Sequence, residues 1–315
     1  MRSTWLSSWR ATALALALLL LAGALRHPGF LSFGTLLDAL DDGAVLGLAA
    51  LGAMVVMSSG GIDLSPGAVV ALASISVASL VQSGLPPPLA FALAIGGGAL
   101  LGGLAGWLID VLAMPAFIVT LGAMFLARGL ALAIHVEALP IDAAAWGPWS
   151  RVELPLGLDL AACAWLALAG LLALAYRHAR TLRNALALGG DERTATYFGV
   201  PVRTTRVRVH ALGGAFAGLA GVAYTLYTGK GDSTACVGLE LDAIAAAVIG
   251  GTALRGGEAA VFGTVLGALL LGLLQTLLVF EGVPGAGWTR LVLGLLLLAF
   301  VALRRLLAGR VEAGA

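Results

Sequence analysis

Five ionisable residues interrupt otherwise apolar runs in this chain: Asp63, Asp110, Arg128, Glu240 and Asp242. A charge inside a bilayer is costly, so each needs a partner, a protein interior or a water-filled path. Paired acids could serve acid–base catalysis, a midplane carboxylate could hold a coupling ion, and acids at span ends could border a route for a polar solute. Asp63 and Asp110 fall at the cytoplasmic ends of apolar runs, whereas Glu240 and Asp242 open a run near the outer face. Arg128 lies within a run, where pairing with a carboxylate such as Asp242 and a packing or interfacial role are both open. His27, His135, His178 and His210 are scattered over loops and span ends. Cys163 and Cys236 have no C-x-x-C or histidine-rich neighbourhood, so neither a metal site nor a disulfide framework is indicated. A phosphate loop is missing too. Lys230, the only lysine, sits in Gly229-Lys230-Gly231 with no Ser or Thr after it and Tyr224 where the first glycine would stand.

The elements that must position these residues are membrane helices. Of 315 residues 60% are hydrophobic and 11% charged, and the mean hydropathy is +1.01, so a water-soluble fold could not hide the apolar surface. A span needs roughly 20 apolar residues. Apolar runs at 11–25, 41–57, 66–82, 88–109, 115–135, 158–176, 210–228, 238–253, 258–280 and 289–307 predict an all-α polytopic membrane protein with about ten transmembrane helices in a single domain, 1–315. The eighth run is short enough to be re-entrant. Forty-four glycines fit close packing of membrane helices. Arg2 and Arg10 before the first run imitate a secretory signal, but the many later runs favour an uncleaved span.

Charge distribution sets the orientation. Arg177, Arg180, Arg183, Arg193, Arg203, Arg206 and Arg208 oppose only Asp191 and Glu192, which places 177–209 in the cytoplasm. Arg304, Arg305 and Arg310 place the C-terminus there, and an even number of spans returns the N-terminus to the same side. The segment 136–157, with Glu137, Asp142 and Glu153 against Arg151, reads as an outer loop with Trp146 and Trp149 at the interface. A net charge of +1 excludes nucleic acid as a partner.

An internal echo links two glycine-rich breaks. Gly60-Gly61-Ile62-Asp63-Leu64-Ser65-Pro66-Gly67 and Gly250-Gly251-Thr252-Ala253-Leu254-Arg255-Gly256-Gly257 both read G-G-x-x-L-x-x-G, each after an apolar run. The echo predicts a parallel internal repeat. Broken helix at membrane depth is tolerated where protein or a water-filled cavity surrounds it. The breaks are therefore candidate linings of a path, with ordinary inter-helix turns as the alternative. Within 177–209, the stretch Ala187 to Val200 reads as a short helix with Asp191 and Glu192 at its positive end and Gly199 closing it.

Ser59-Gly60-Gly61-Ile62-Asp63-Leu64-Ser65 followed by Gly67 resembles the signature of ribose, xylose and galactofuranose ABC-importer permeases. Pro115-Ala116-Phe117-Ile118-Val119-Thr120-Leu121-Gly122 with Arg128-Gly129 is similar to that family's fifth-span motif. Glu240-Leu241-Asp242-Ala243-Ile244-Ala245 with Val248 to Thr252 is similar to its late motif. Pro28-Gly29-Phe30, Gly106 to Asp110, Gly238 to Asp242 and Trp288-Thr289 look most like a permease of the galactofuranose importer. Pro66 and Cys236 depart from the pattern, where small residues are expected. The resemblance implies a permease of the bacterial inner membrane that binds no cofactor itself. Its expected partners are a cytoplasmic ATPase holding ATP and magnesium, a periplasmic sugar-binding protein, a second permease copy or homologue, and a monosaccharide substrate. It also implies that Gly190, Asp191, Glu192, Ala195 and Gly199 belong to the helix that couples to the ATPase. Gly60, Gly61, Asp63, Ser65, Thr120, Glu240, Asp242, Gly250 and Gly251 are the candidates for the translocation path. Hydroxyl, amide and aromatic partners for a sugar are available at Thr120, Gln275, Thr276, Tyr224, Tyr227 and Trp107. Other readings are an importer permease for another pentose, a hexose, a nucleoside or an amino acid, an ion-coupled secondary transporter, and a membrane-embedded enzyme. The clustering of acids at span ends speaks against the transporter, and the scattered histidines speak against the enzyme.

Overall fold

A computed structural model describes residues 5–142 and 157–283 throughout, with Trp146, Trp149 and several positions between 287 and 298. The first five helices are α1 (Trp5–Arg26), α2 (Phe33–Ser58), α3 (Pro66–Gln82), α4 (Pro87–Val111) and α5 (Ala116–Ile134). Then come β1 (Leu139–Pro140), α6 (Leu160–His178), α7 (Arg180–Gly190), α8 (Glu192–Tyr197), α9 (Val202–Thr228), β2 (Lys230–Gly231), α10 (Leu239–Ile249) and α11 (Val261–Phe280). Seven of the described helices, α1, α2, α4, α5, α6, α9 and α11, are long and apolar enough to cross a membrane; α3 is a shorter apolar helix. The expected all-helical membrane fold is the one observed. The predicted span 289–307 lies mostly outside the described residues.

Local chemistry sets the helix ends. Ser32 caps α2 by accepting from the Thr35 backbone N–H. Pro66 and Pro87 stand at the starts of α3 and α4, where a missing N–H costs nothing because that group has no intrahelical partner. The departure at Pro66 thus has a structural reason. Cys236, the other departure, holds φ at +58°, a conformation that side chains rarely adopt.

The centre of the bundle is α2, buried along most of its length against α9, α10, α11 and α6. Lipid is as apolar as leucine, so packing density rather than the hydrophobic effect must hold helices together here. Small residues supply it. Gly98, Gly102 and Gly106 of α4 face His210, Gly214 and Gly218 of α9 at four-residue spacing. A Cβ at Gly102 would strike the His210 carbonyl, and one at Gly214 would strike the Gly98 carbonyl. The large Trp165 ring of α6, fully buried, fills the space left by Gly47 of α2.

Hydrogen bonds across the bundle settle the direction of each segment. The Ser58 carbonyl, ending α2, accepts from Gly257 N–H at 3.0 Å and lies beside Gly189 of the arginine-rich region. At the opposite end β1 and β2 pair antiparallel, and Gln82 donates to the Pro140 carbonyl at 2.7 Å. Arg26 at the end of α1 and His27 just after it reach Glu281 after α11 at 2.8 and 3.0 Å. Trp146, expected at the membrane interface, is buried in a cluster with Phe91, its ring edge-on at 5.8 Å. An edge-to-face aromatic pair rewards that burial, which sequence alone does not signal.

Candidate functional site

The arginine-rich segment, expected in the cytoplasm, is two helices rather than one. Asp191 interrupts them with extended backbone and caps α8, its carboxylate accepting the Thr194 N–H at 2.6 Å. That hydrogen bond holds the Asp191 carboxyl below the usual carboxylate range. Gly199, with φ +76°, closes α8: its N–H bonds to the Thr196 carbonyl, and Val200 N–H reaches back to Ala195. This is the paired C-terminal motif that a left-handed glycine permits. Ala195 faces inward and is buried, whereas Tyr197 and Phe198 are 91% and 85% exposed.

Although exposed, α8 is anchored. Arg206 of α9 donates to Glu192 at 3.0 Å and to Asp110 at the end of α4, also at 3.0 Å. Arg203 approaches the same aspartate at 3.9 Å. Asp110 therefore lies at a span end, as expected, with a partner that explains it. Behind α8, the end of α7 enters a junction of backbones. Gly189 lies against Ser58, Gly256 and Gly257, and Gly256 lies against Gly60, with an added Cβ 2.6 Å from Gly60 N. Gly190 borders Gly257. Gly60, Gly189, Gly190, Gly256 and Gly257, from distant parts of the chain, thus meet with no side chain between them.

The first break begins there. Gly60 takes φ +81° after α2, and the chain runs without regular structure to Ser65. Thr120 of α5 clamps this stretch, its hydroxyl donating to the Ile62 carbonyl at 3.0 Å and accepting the Leu64 N–H at 3.2 Å. Asp63, 4% exposed, accepts from both the Ser65 N–H and hydroxyl at 2.8 and 2.7 Å. Gly60, Gly61, Asp63, Ser65 and Thr120 form one cluster.

The second break has the same direction but not the same glycine roles. After α10 it is Gly251, at φ +105°, that occupies the left-handed position, so Gly251 corresponds in backbone to Gly60. Gly250 instead packs on Gly263 of α11, where a Cβ would strike backbone. The two hairpins, α2 to α3 and α10 to α11, run the same way through the bundle.

The span before this break is broken. From β2 the chain descends irregularly, and α10 begins inside the fold, with Glu240 and the Cys236 carbonyl against Gly67. Gly67 lies roughly 20 Å of helix from the outer end of α3, so Glu240 is deeper than the outer-face position expected for it. Arg128 supports the descent, one guanidinium nitrogen donating to the Ser233 and Ala235 carbonyls at 2.8 Å each. Backbone oxygens, rather than a pairing with Asp242, occupy that group. The expected short segment at 238–253 is thus a half-helix of eleven residues entered through irregular backbone.

Two cavities flank this machinery. One of about 470 Å³, on the side expected to face outward, lies between α2, α10 and α11 and is lined by Asp42, Cys236, Asp242, Gln275 and Thr276 among others. The other, of about 350 Å³ on the side expected to face the cytoplasm, is bordered by Gly60, Gly61, Gly189, Glu192, Arg206, His210 and Arg255. Of the proposed sugar partners, Gln275 and Thr276 line the outer cavity, Thr120 holds the first break, and Trp107 borders an apolar groove between α4 and α5. Sequence reasoning named Gly256 and Gly257 in the second break, Arg206 in the arginine-rich segment and Gly189, Tyr197 and Phe198 in its short helix, but did not foresee the glycine junction, the Arg206 bridge to Asp110 and Glu192, or His210 on the cavity wall. The four-residue spacing of small residues around His210 was the one local signal available.

Comparison with known proteins agrees with this architecture. A family described as branched-chain amino acid transport system / permease component matches residues 35–301. The inner membrane ABC transporter permease protein YjfF of Escherichia coli K12 is 40% identical over 286 residues, 89% of this chain and 86% of that protein. The fructose import permease protein FruG of Bifidobacterium longum is 34% identical over 311 residues, 94% of this chain and 89% of that protein. The ribose import permease protein RbsC of Escherichia coli K12 is 33% identical over 287 residues, 89% and 88% of the two chains. No solved structure matches the chain. With 35–301 matched and these relatives aligned over most of their length, the chain belongs to the family of branched-chain amino acid transport system permease components.

Proposed function

We propose that this chain is the membrane permease of an ATP-binding-cassette importer that carries a monosaccharide across the bacterial inner membrane, with both termini cytoplasmic. The observation that carries the reading is the construction of α8. It offers two exposed aromatic side chains to the cytoplasm while Glu192, Arg206 and Asp110 tie its base to α4 and α9. Exposed aromatic pairs of this kind fit a partner surface, since aromatic residues dominate interface energetics. Displacement of α8 and α7 by an ATPase would act through Gly189 on both glycine breaks at once. ATP and magnesium then belong to that ATPase, and this chain needs no cofactor of its own. A second permease copy or homologue and a periplasmic sugar-binding protein complete the machine.

The outer cavity supports a polyhydroxyl cargo. Asp42, Asp242, Gln275 and Thr276 bring carboxylate, amide and hydroxyl groups to one opening. The relatives named for fructose and ribose favour a monosaccharide over an amino acid or nucleoside. Galactofuranose is the sugar favoured, on the segments Pro28 to Phe30, Gly106 to Asp110 and Gly238 to Asp242. The test is uptake of labelled sugar into vesicles holding the assembled complex. Uptake should require both ATP and the sugar-loaded binding protein, and uptake independent of either would refute the reading. Titration of the binding protein with galactofuranose, ribose and fructose then decides the cargo.

A further inference from the structure

The cytoplasmic cavity has a chemistry that coupling does not use. His210 lies 1% exposed on its wall, with Nδ1 2.9 Å from the Arg206 carbonyl. A carbonyl only accepts, so Nδ1 carries the proton and Nε2 of the neutral ring is a bare acceptor. That Nε2 is buried and has no hydrogen-bond partner, an arrangement that leaves a buried polar atom unsatisfied. Its edge faces Gly61, where an added Cβ would stand 3.4 Å from Nε2, so any side chain at that position would crowd the nitrogen. Across the same cavity Arg255 is exposed and makes no hydrogen bond or ion pair among the described residues. The other guanidinium, Arg206, is already engaged by Asp110 and Glu192.

We propose that this cavity is a cytoplasmic exit site that holds the departing sugar by its hydroxyls, one donating to His210 Nε2 and another accepting from Arg255. The inference rests on the importer reading above and adds a binding site to it. A hydroxyl both donates and accepts, which matches one free acceptor and one free donor. An anion matches less well, because the wall also carries the Glu192 carboxylate and only one unpaired cation. A volume of about 350 Å³ lies within the range of small-ligand pockets.

An occupied exit site should oppose further transport. Vesicles of the assembled complex, with the ATPase face inward, are loaded with galactofuranose, ribose or fructose, and ATP-driven uptake is followed. Lumenal cargo sugar should inhibit. His210→Leu and Arg255→Ala should each raise the half-inhibiting concentration ~5- to 10-fold, the worth of one lost hydrogen bond. His210→Gln, which keeps an acceptor, should stay within ~2-fold of the wild type. Arg255 lies in a loop, so its variant decides the matter if the His210 variants do not fold. Inorganic phosphate at matched ionic strength is the competing probe. Inhibition by phosphate below the sugar concentration, lost in Arg255→Ala, would assign the cavity to an anion and overturn the proposal. Absence of lumenal inhibition, or inhibition unchanged by both substitutions, would overturn it too. If uptake itself proves independent of ATP, it is the importer reading that fails.

Discussion

Replacing Arg206 by Met keeps the length of the side chain and removes its charge. The guanidinium bridges Asp110 and Glu192 at 3.0 Å each, with side-chain exposures of 18% for Arg206, 22% for Asp110 and 57% for Glu192. The half-buried Asp110 bond is charge-assisted and worth ~1.5–3 kcal/mol, toward the lower end because Arg203 remains nearby. The Glu192 bond is exposed enough that solvent screens it to ~0–1 kcal/mol. A total loss of about 2 kcal/mol should lower the thermal midpoint in detergent by ~3 °C, the shift expected for a chain of 315 residues. The functional effect should be larger than the thermal one, because Glu192 is the only described ion-pair link from α8 to the spans. Sugar carried per ATP hydrolysed should fall while basal hydrolysis persists. A double-mutant cycle separates the arms: Arg206→Met with Asp110→Asn should show coupling above ~1 kcal/mol, and with Glu192→Gln below it. An unchanged midpoint together with unchanged sugar per ATP would refute the reasoning.

Three further outcomes can be measured independently. Gly102→Val should abolish insertion or folding, because its side chain meets the His210 carbonyl, whereas Gly96→Ala, with open space around it, should express and melt like the wild type. Thr120→Val, isosteric but unable to bond, should leave the Leu64 N–H without its partner, cost ~1–3 kcal/mol in thermal unfolding and slow uptake. The Asp191 carboxyl titrates lower in the folded state, so its capping of α8 is present above the ordinary value of 3.8 and lost as pH falls through the folded value. Exchange protection of the Thr194 amide should fall in that acid range in the wild type, while Asp191→Asn, which caps without a titrating group, should show no such step.

What was legible in the sequence was whatever acts over a few residues. Hydropathy located the long spans, arginine asymmetry located 177–209, and Asp191 with Gly199 marked the ends of α8, because caps and charges act locally. The irregular descent before α10 was legible only as a shortage of apolar length. Its support, Arg128 on the carbonyls of Ser233 and Ala235, lies more than a hundred residues away in sequence and uses backbone atoms that every residue carries. The echo of the glycine breaks illustrates the same boundary. Letters aligned Gly60 with Gly250, but the backbone aligns Gly60 with Gly251, since Gly250 is needed for contact with Gly263. A pairwise approach of two helices decided the role, and neither helix alone encodes it.

In the proposed importer, glycine at the junction of Gly60, Gly189 and Gly256 follows from what a coupling joint must do. Side chains between moving backbones would absorb displacement through rotamer changes, whereas backbone in direct contact is close to incompressible. With Gly189 against Ser58 and Gly257, a shift of α7 has no slack before it reaches both breaks. The positive φ at Gly60, Gly251, Gly256 and Gly257 gives the joint conformations that other residues would resist. Stiffness in transmission and freedom in the receiving loops are thus obtained from one residue type. In the proposed importer, alanine at Gly189 would have to push apart three backbones to fit, so its effect belongs to coupling even though it touches neither cargo nor nucleotide.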